Sequence, residues 1–222
     1  QLLKYDSWGT LTESLIKDNW LRFVLKQATG TGKTKVMSLL IAWSYFHKLY
    51  ESESRLSKNI LLLVPNTIVL DRIKDDIDGL KVFTNDPVIP LNGIDSQMWQ
   101  SDFNPTVHIQ DNIGKISNDG NIFLTNIQRF SNRSLKNDDE SSMDYFLGNK
   151  PVTKTLDNKI TVKDIVNDIN DIIIINDEAH HIHEENAWLK SIENIHNNLV
   201  QKGSILPIQI DLTATPKHKK GE

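Results

Sequence analysis

Ile60–Val64 is an unbroken apolar run, and Ile172–Ile175 is four isoleucines in succession. A strand with one face in water alternates apolar and polar residues. A run without alternation has to be buried on both faces, which is the situation of strands in a parallel sheet covered by helices. Phe23-Val24-Leu25, Thr106–Gln110, Ile122-Phe123-Leu124 and Leu206–Leu212 read as further strands. Helical patterns lie between them. Val36, Leu39, Leu40, Trp43, His47 and Tyr50 recur at helical spacing after Lys33. Leu70, Ile73 and Ile77 follow a cap at Asn66 or Thr67 and stop at Gly79; Val162, Ile165, Val166 and Ile169 mark a short helix; Trp188, Ile192, Ile195 and Leu199 line another. The pattern predicts an α/β fold, a mostly parallel central sheet with helices on both faces.

In open parallel sheets, ligands gather at the carboxyl ends of the strands, and the polar residues of this chain concentrate there. Ala28-Thr29-Gly30-Thr31-Gly32-Lys33-Thr34 follows the first strand and opens the first helix. Glycines let backbone N–H groups turn inward, and the helix adds its positive end, so the loop suits a triphosphate. Lys33 can reach the β and γ phosphates, and the Thr34 hydroxyl can ligate Mg²⁺. The strict spacing G-x-x-x-x-G-K-[ST] fails, because Gln27 stands at the first glycine. The variant with Ala28 first is matched in full. A Gly-rich turn carrying a surface lysine is the bland competitor, and the strand before and helix after argue against it.

Asp177-Glu178-Ala179-His180 follows the isoleucine strand. Two adjacent acids at a strand end are costly without a cation or proton between them. Magnesium-bound nucleotide supplies one. Asp177 would hold Mg²⁺ through water, and Glu178 would orient or deprotonate an attacking water. Acidic capping of the next helix is the structural competitor. Thr213-Ala214-Thr215-Pro216 ends the last strand, and its two hydroxyls could bond to the acidic motif; alone, it is ordinary turn chemistry. His180, His181 and His183 with Glu184 and Glu185 lack the H-E-x-x-H spacing of a zinc site, so a solvated helix start is the better reading. Trp8, Trp20, Trp43, Trp99 and Trp188 are expected in the core or at interfaces rather than as stacking platforms.

The chain has no cysteine, which removes disulfides and thiolate chemistry. Its formal net charge of −4 announces no global affinity for nucleic acid, although a local basic groove remains compatible with that balance. No apolar run approaches the ~18 residues of a membrane span. A cytoplasmic location is expected. Residues 131–160 are rich in Ser, Asn, Asp and Lys and read as a polar insert without a catalytic role.

Taken in order, ATGTGKT, LLLVPNTIVLDR, LTNIQRF, INDEAHH and DLTATP resemble the first RecA-like lobe of superfamily 2 helicases, a P-loop NTPase fold. The doubled histidine and the asparagine before Asp177 look most like the Res subunit of type III restriction enzymes. The resemblance runs from about residue 20 to 220 and implies an ATPase, using ATP and Mg²⁺, that moves on duplex DNA. It implies nucleotide contacts at Ala28–Thr34, magnesium contacts at Thr34 and Asp177, and catalytic roles for Lys33, Asp177, Glu178 and His180. It further implies nucleic-acid contacts at Pro65, Asn66, Thr67, Thr125 and Asn126, and coupling of hydrolysis to movement through Thr213 and Thr215. Contacts of this kind hold phosphates without reading bases.

Gln1 is no natural start, so residues 1–222 are expected to be one motor lobe of a longer protein. The second lobe and any nuclease domain are expected outside it, and a modification (methyltransferase) subunit is the implied partner. An arginine finger from the second lobe can be worth ~10³–10⁵ in rate, so this lobe alone should hydrolyse ATP slowly. No adenine-contacting glutamine can be placed; Gln1 is a candidate by residue type only. Two alternatives stand beside this reading: an RNA or DNA-repair helicase of the same superfamily, and a nucleotide-gated binding switch. A water-activating carboxylate at Glu178 argues against the switch.

Overall fold

The computed structural model describes residues 20–28, 30–95, 97–110, 114–126, 169–179 and 185–214, without the side chains of 185–190. In chain order the elements are β1 (Leu21–Lys26), α1 (Lys33–Tyr50), β2 (Asn59–Val64), α2 (Thr67–Ile77), α3 (Lys81–Thr84), α4 (Trp99–Asp102), β3 (Thr106–Ile109), β4 (Asn121–Asn126), β5 (Ile173–Asn176), α5 (Glu185–Gln201) and β6 (Ile208–Thr213). The strands form one sheet in the order β1-β6-β5-β2-β4-β3. Every pairing is parallel. All six strands therefore exit at the same edge.

The unbroken apolar runs lie inside the sheet, as their lack of alternation requires. Ile60–Val64 and Ile172–Ile175 are fully buried. Alternate residues of these strands serve two different cores. Ile60, Leu62, Val64, Ile173 and Ile175 join Met37, Ile41, Tyr45, Leu70, Ile73 and Phe83 on the face covered by α1, α2 and α3. Leu61, Leu63, Ile172 and Ile174 join Trp20, Ile192, Ile195, Leu199 and Leu206 on the face covered by α5. This is the α/β fold with helices on both faces.

Asn66 caps α2, its side chain accepting from Val69 N–H at 3.0 Å. The expected stripe Leu70, Ile73, Ile77 is the buried one. For α1 the residues at helical spacing divide: Val36 and Leu40 pack, partly buried, against the core. Leu39 and Trp43 are exposed, and the buried face is Lys33, Met37, Ser38, Ile41, Ala42, Ser44 and Tyr45. Small residues let the helix lie close to the sheet, and the serines satisfy their hydroxyls locally. Ser38 Oγ donates to Thr34 O at 2.9 Å, and Ser44 Oγ donates to Ser57 O at 2.7 Å. A bonded hydroxyl loses most of its burial penalty, which a count of apolar residues misses. Residues 162–168 of the expected short helix, and the insert at 131–160, lie outside the described residues. Trp20 is in the core as expected, whereas Trp43 is exposed; Trp8 and the side chain of Trp188 lie outside the description. Among the described residues no helix is long and apolar enough to cross a membrane.

Candidate active site

The exits of β1, β5 and β6 converge on one cleft. Gln27 N–H donates to Thr213 O at 2.9 Å, continuing the β1–β6 ladder one step beyond the strands. The chain then turns sharply. Thr31 Oγ1 and Thr31 N–H donate to Ala28 O at 2.6 and 3.3 Å, and Gln27 Nε2 donates to Thr31 O at 2.9 Å. Gly30 and Gly32 take φ of +80° and +94°, a region that a side chain disfavours. Gly32 is the cap of α1, so Lys33 and Thr34 occupy the helix's first turn, where unsatisfied N–H groups leave a positive end. The sequence expected this strand–turn–helix; Thr29 lies outside the described residues.

The acidic pair enters from β5. Asp177 N–H donates to Leu63 O at 2.8 Å, which holds the residue at the strand's end. Asp177 is 1% exposed, and its carboxylate accepts from Glu178 N–H at 2.9 Å. Glu178 sits at φ +51°, an uncommon conformation for a residue with a side chain. Local strain of that kind collects at functional sites. Lys33 bridges the two motifs, which are 145 residues apart in sequence: its ammonium contacts Glu178 Oε1. The same Nζ lies 3.9 Å from Asp177 Oδ1. Burial lowers the Lys33 pKa below its ordinary value, Asp177 opposes that shift, and Arg72 adds to it.

The site thus holds one buried and one half-buried carboxylate, one ammonium and a helix N-terminus. With the Thr34 hydroxyl in the first turn, the donors are hard oxygens, the type that Mg²⁺ takes. The nitrogen side is suited to phosphate oxygens. The residues present fit a magnesium-bound triphosphate.

The remaining expected residues are placed as follows. Pro65 is half-buried and Asn66 and Thr67 are exposed, at the exit of β2. Thr125 and Asn126 end β4 with both side chains buried. Thr213 is buried at the end of β6, its carbonyl engaged by the phosphate-loop residue Gln27. His180, Thr215 and Pro216 lie outside the described residues, as do His181, His183 and Glu184. Among the described residues no cluster of three or more metal-ligating side chains occurs.

A polar group beside the acidic pair escaped the sequence reading. Asn176, Asp211 and Gln209 are buried next to it and joined to Arg22 and Trp20. The available signal was the period of two in Gln209, Asp211 and Thr213, along and just after the strand read at Leu206–Leu212.

Residues 7–218 match the family described as type III restriction enzyme, res subunit. No curated protein matches the sequence.

Proposed function

Because this chain belongs to the family of type III restriction enzyme res subunits, we propose that it is the first motor lobe of a DNA translocase, coupling ATP hydrolysis to movement on duplex DNA. The family is one of helicase-like ATP-dependent motors. The finer reading is supported above all by one contact: Lys33 of the first loop meets Glu178 of the acidic pair beside the buried Asp177. Two motifs so distant in sequence have no structural need to share a cation at the ligand-binding edge of the sheet.

In this reading the loop amides of Ala28–Gly32 and the N-terminal turn of α1 bind the phosphates. Thr34 and Asp177 would hold a magnesium ion. Bound Mg²⁺ would neutralise phosphate charge and fix the triphosphate's orientation. Lys33 exchanges the acidic pair for the β and γ phosphates when nucleotide enters. Release from Lys33 leaves Glu178 free to hold the attacking water and take its proton. His180, Thr213 and Thr215 link hydrolysis to movement. Pro65, Asn66 and Thr67 lie on the exit edge, where a nucleic-acid backbone can meet the N-terminus of α2. Thr125 and Asn126 are assigned to the same contact, which at their burial requires either their backbone or a shift of the exit edge.

The lobe spans residues 1–222, with the polar insert at about 131–160. It works with a second RecA-like lobe in the longer chain and with a modification subunit, in the cytoplasm. The test is ATP turnover by the full-length parent with and without duplex DNA, single-stranded DNA and RNA. The expected result is stimulation by duplex DNA and trapping of bound ATP by Glu178→Gln. Turnover indifferent to every nucleic acid would refute the translocase reading, and stimulation by RNA alone would move the protein to the helicase alternative.

A further inference from the structure

Asp211 is a carboxylate buried in the interior of the sheet, 1% exposed, on a strand flanked by β1 and β5. An unpaired charge there would cost several kcal/mol. Three side chains from three strands answer it. Arg22 Nε of β1 donates to Oδ2 at 2.7 Å, Gln209 Nε2 of β6 donates to Oδ1 at 3.0 Å, and Asn176 Nδ2 of β5 donates to the same oxygen. Gln209 is itself oriented by Trp20, whose Nε1–H donates to its Oε1 at 3.0 Å.

Asn176 is the unusual member. It follows four buried isoleucines, is fully buried, and its Oδ1 has no hydrogen-bond partner among the described residues. A stranded buried carbonyl costs about as much as a hydrogen bond to a charged group contributes. As a device for stability the amide about breaks even, and a fifth apolar residue would fill the position as well. What the amide supplies is registry. Asn176 stands opposite Asp211 in the ladder. It directly precedes Asp177, and Asp211 precedes Thr213 by two residues on the same face of β6.

Resting on the motor reading above, we infer that Asn176 and Asp211 are positioning residues that clamp the exit of β5 to the exit of β6. The acidic pair and the Thr213 segment then move as one body. Arg22 extends the clamp to β1, the strand that feeds the phosphate loop. Neither residue touches nucleotide; each acts through the backbone it holds, Asn176 on Asp177–Glu178 and Asp211 on Thr213 and, through Gln27, on the loop.

The test uses the full-length parent and reads magnesium–ATP affinity, nucleic-acid-stimulated kcat and thermal stability together. Asn176→Leu fills the site with apolar atoms and should leave the melting temperature and ATP affinity near wild type, while kcat falls roughly tenfold or more. Asn176→Asp sets carboxylate against carboxylate and should do worse. The reciprocal pair, Asn176→Asp with Asp211→Asn, restores one donor facing one acceptor between β5 and β6 while giving up the Arg22 and Gln209 bonds, and should recover part of the loss relative to Asn176→Asp alone. A non-additive recovery of that kind is the mark of a direct interaction. A folded Asn176→Leu variant with wild-type kcat overturns the inference. So does a loss that tracks melting temperature across the variants and is not recovered by the swap. Lys33→Ala separates the layers: if it abolishes turnover while Asn176→Leu does not alter it, only the clamp fails. If Lys33→Ala turns over normally, the motor reading falls and takes the clamp with it.

Discussion

Replacing Lys33 by alanine tests the cleft without any ligand. Its ammonium lies 3.9 Å from Asp177 Oδ1 and contacts Glu178. At an effective dielectric of about 20, each attraction over ~4 Å is roughly 4 kcal/mol before desolvation. Burial, with Arg72 adding to it, nevertheless lowers the Lys33 pKa against the pull of Asp177. Desolvation thus offsets much of that attraction. Loss of the lysine is a different matter, because two acids remain in the cleft with no cation. Breaking a buried pair in this way costs about 3–5 kcal/mol. The cost has a ceiling, since one carboxylate can take up a proton instead. Holding a carboxyl protonated about three pH units above its ordinary value costs about 4 kcal/mol, at 1.36 kcal/mol per unit.

The deficit of Lys33→Ala should therefore be about 3–4 kcal/mol near pH 7. Its pH dependence is the decisive part. In the variant a carboxylate of the folded state has a raised pKa, so between the ordinary and the raised value the folded protein binds more protons than the unfolded chain. Stability then falls as pH rises through that window and recovers as pH falls, by about 1.4 kcal/mol per unit. Urea unfolding of wild type and variant between about pH 4.5 and 8 measures this difference. Added Mg²⁺ should stabilise the variant more than the wild type, because the ion takes the position of the missing charge. A deficit of equal size at every pH, unaltered by Mg²⁺, would refute the reasoning and reduce Lys33 to the packing of its aliphatic stem.

Burial lowers the pKa of His196, whose Nδ1 accepts from Leu206 N–H at 3.4 Å and whose ring lies 5.0 Å from that of Trp20. Below its ordinary value of 6.5 the unfolded chain takes up a proton before the folded one does. Stability should fall as pH drops through that range, and His196→Gln should flatten this limb of the denaturation profile. Gly120→Ala should lower stability by roughly 1–3 kcal/mol, since φ is +121° and an added Cβ would lie 2.8 Å from Lys58 O. An unchanged thermal midpoint in that variant would mean the backbone at Lys58 and Gly120 can shift to make room.

Local signals carried the fold and the outline of the site. Runs such as Ile60–Val64 had to become interior strands, because no other arrangement hides both faces. The loop from Ala28 to Thr34 and the acids after Ile175 were readable because glycine, lysine and carboxylate chemistry needs those residue types at strand exits. Of the α1 spacing, Leu39 and Trp43 face solvent, because serines that bond to nearby carbonyls take places on the buried face. Which residues of different strands meet was beyond any local signal. Strand order brought β6 between β1 and β5, and with it Asp211 against Arg22 and Asn176. Local pattern decides that a segment is a strand and which residues share a face. Partner choice depends on how the whole sheet hides its apolar area and answers its buried charges, and that balance exists only once distant segments have packed.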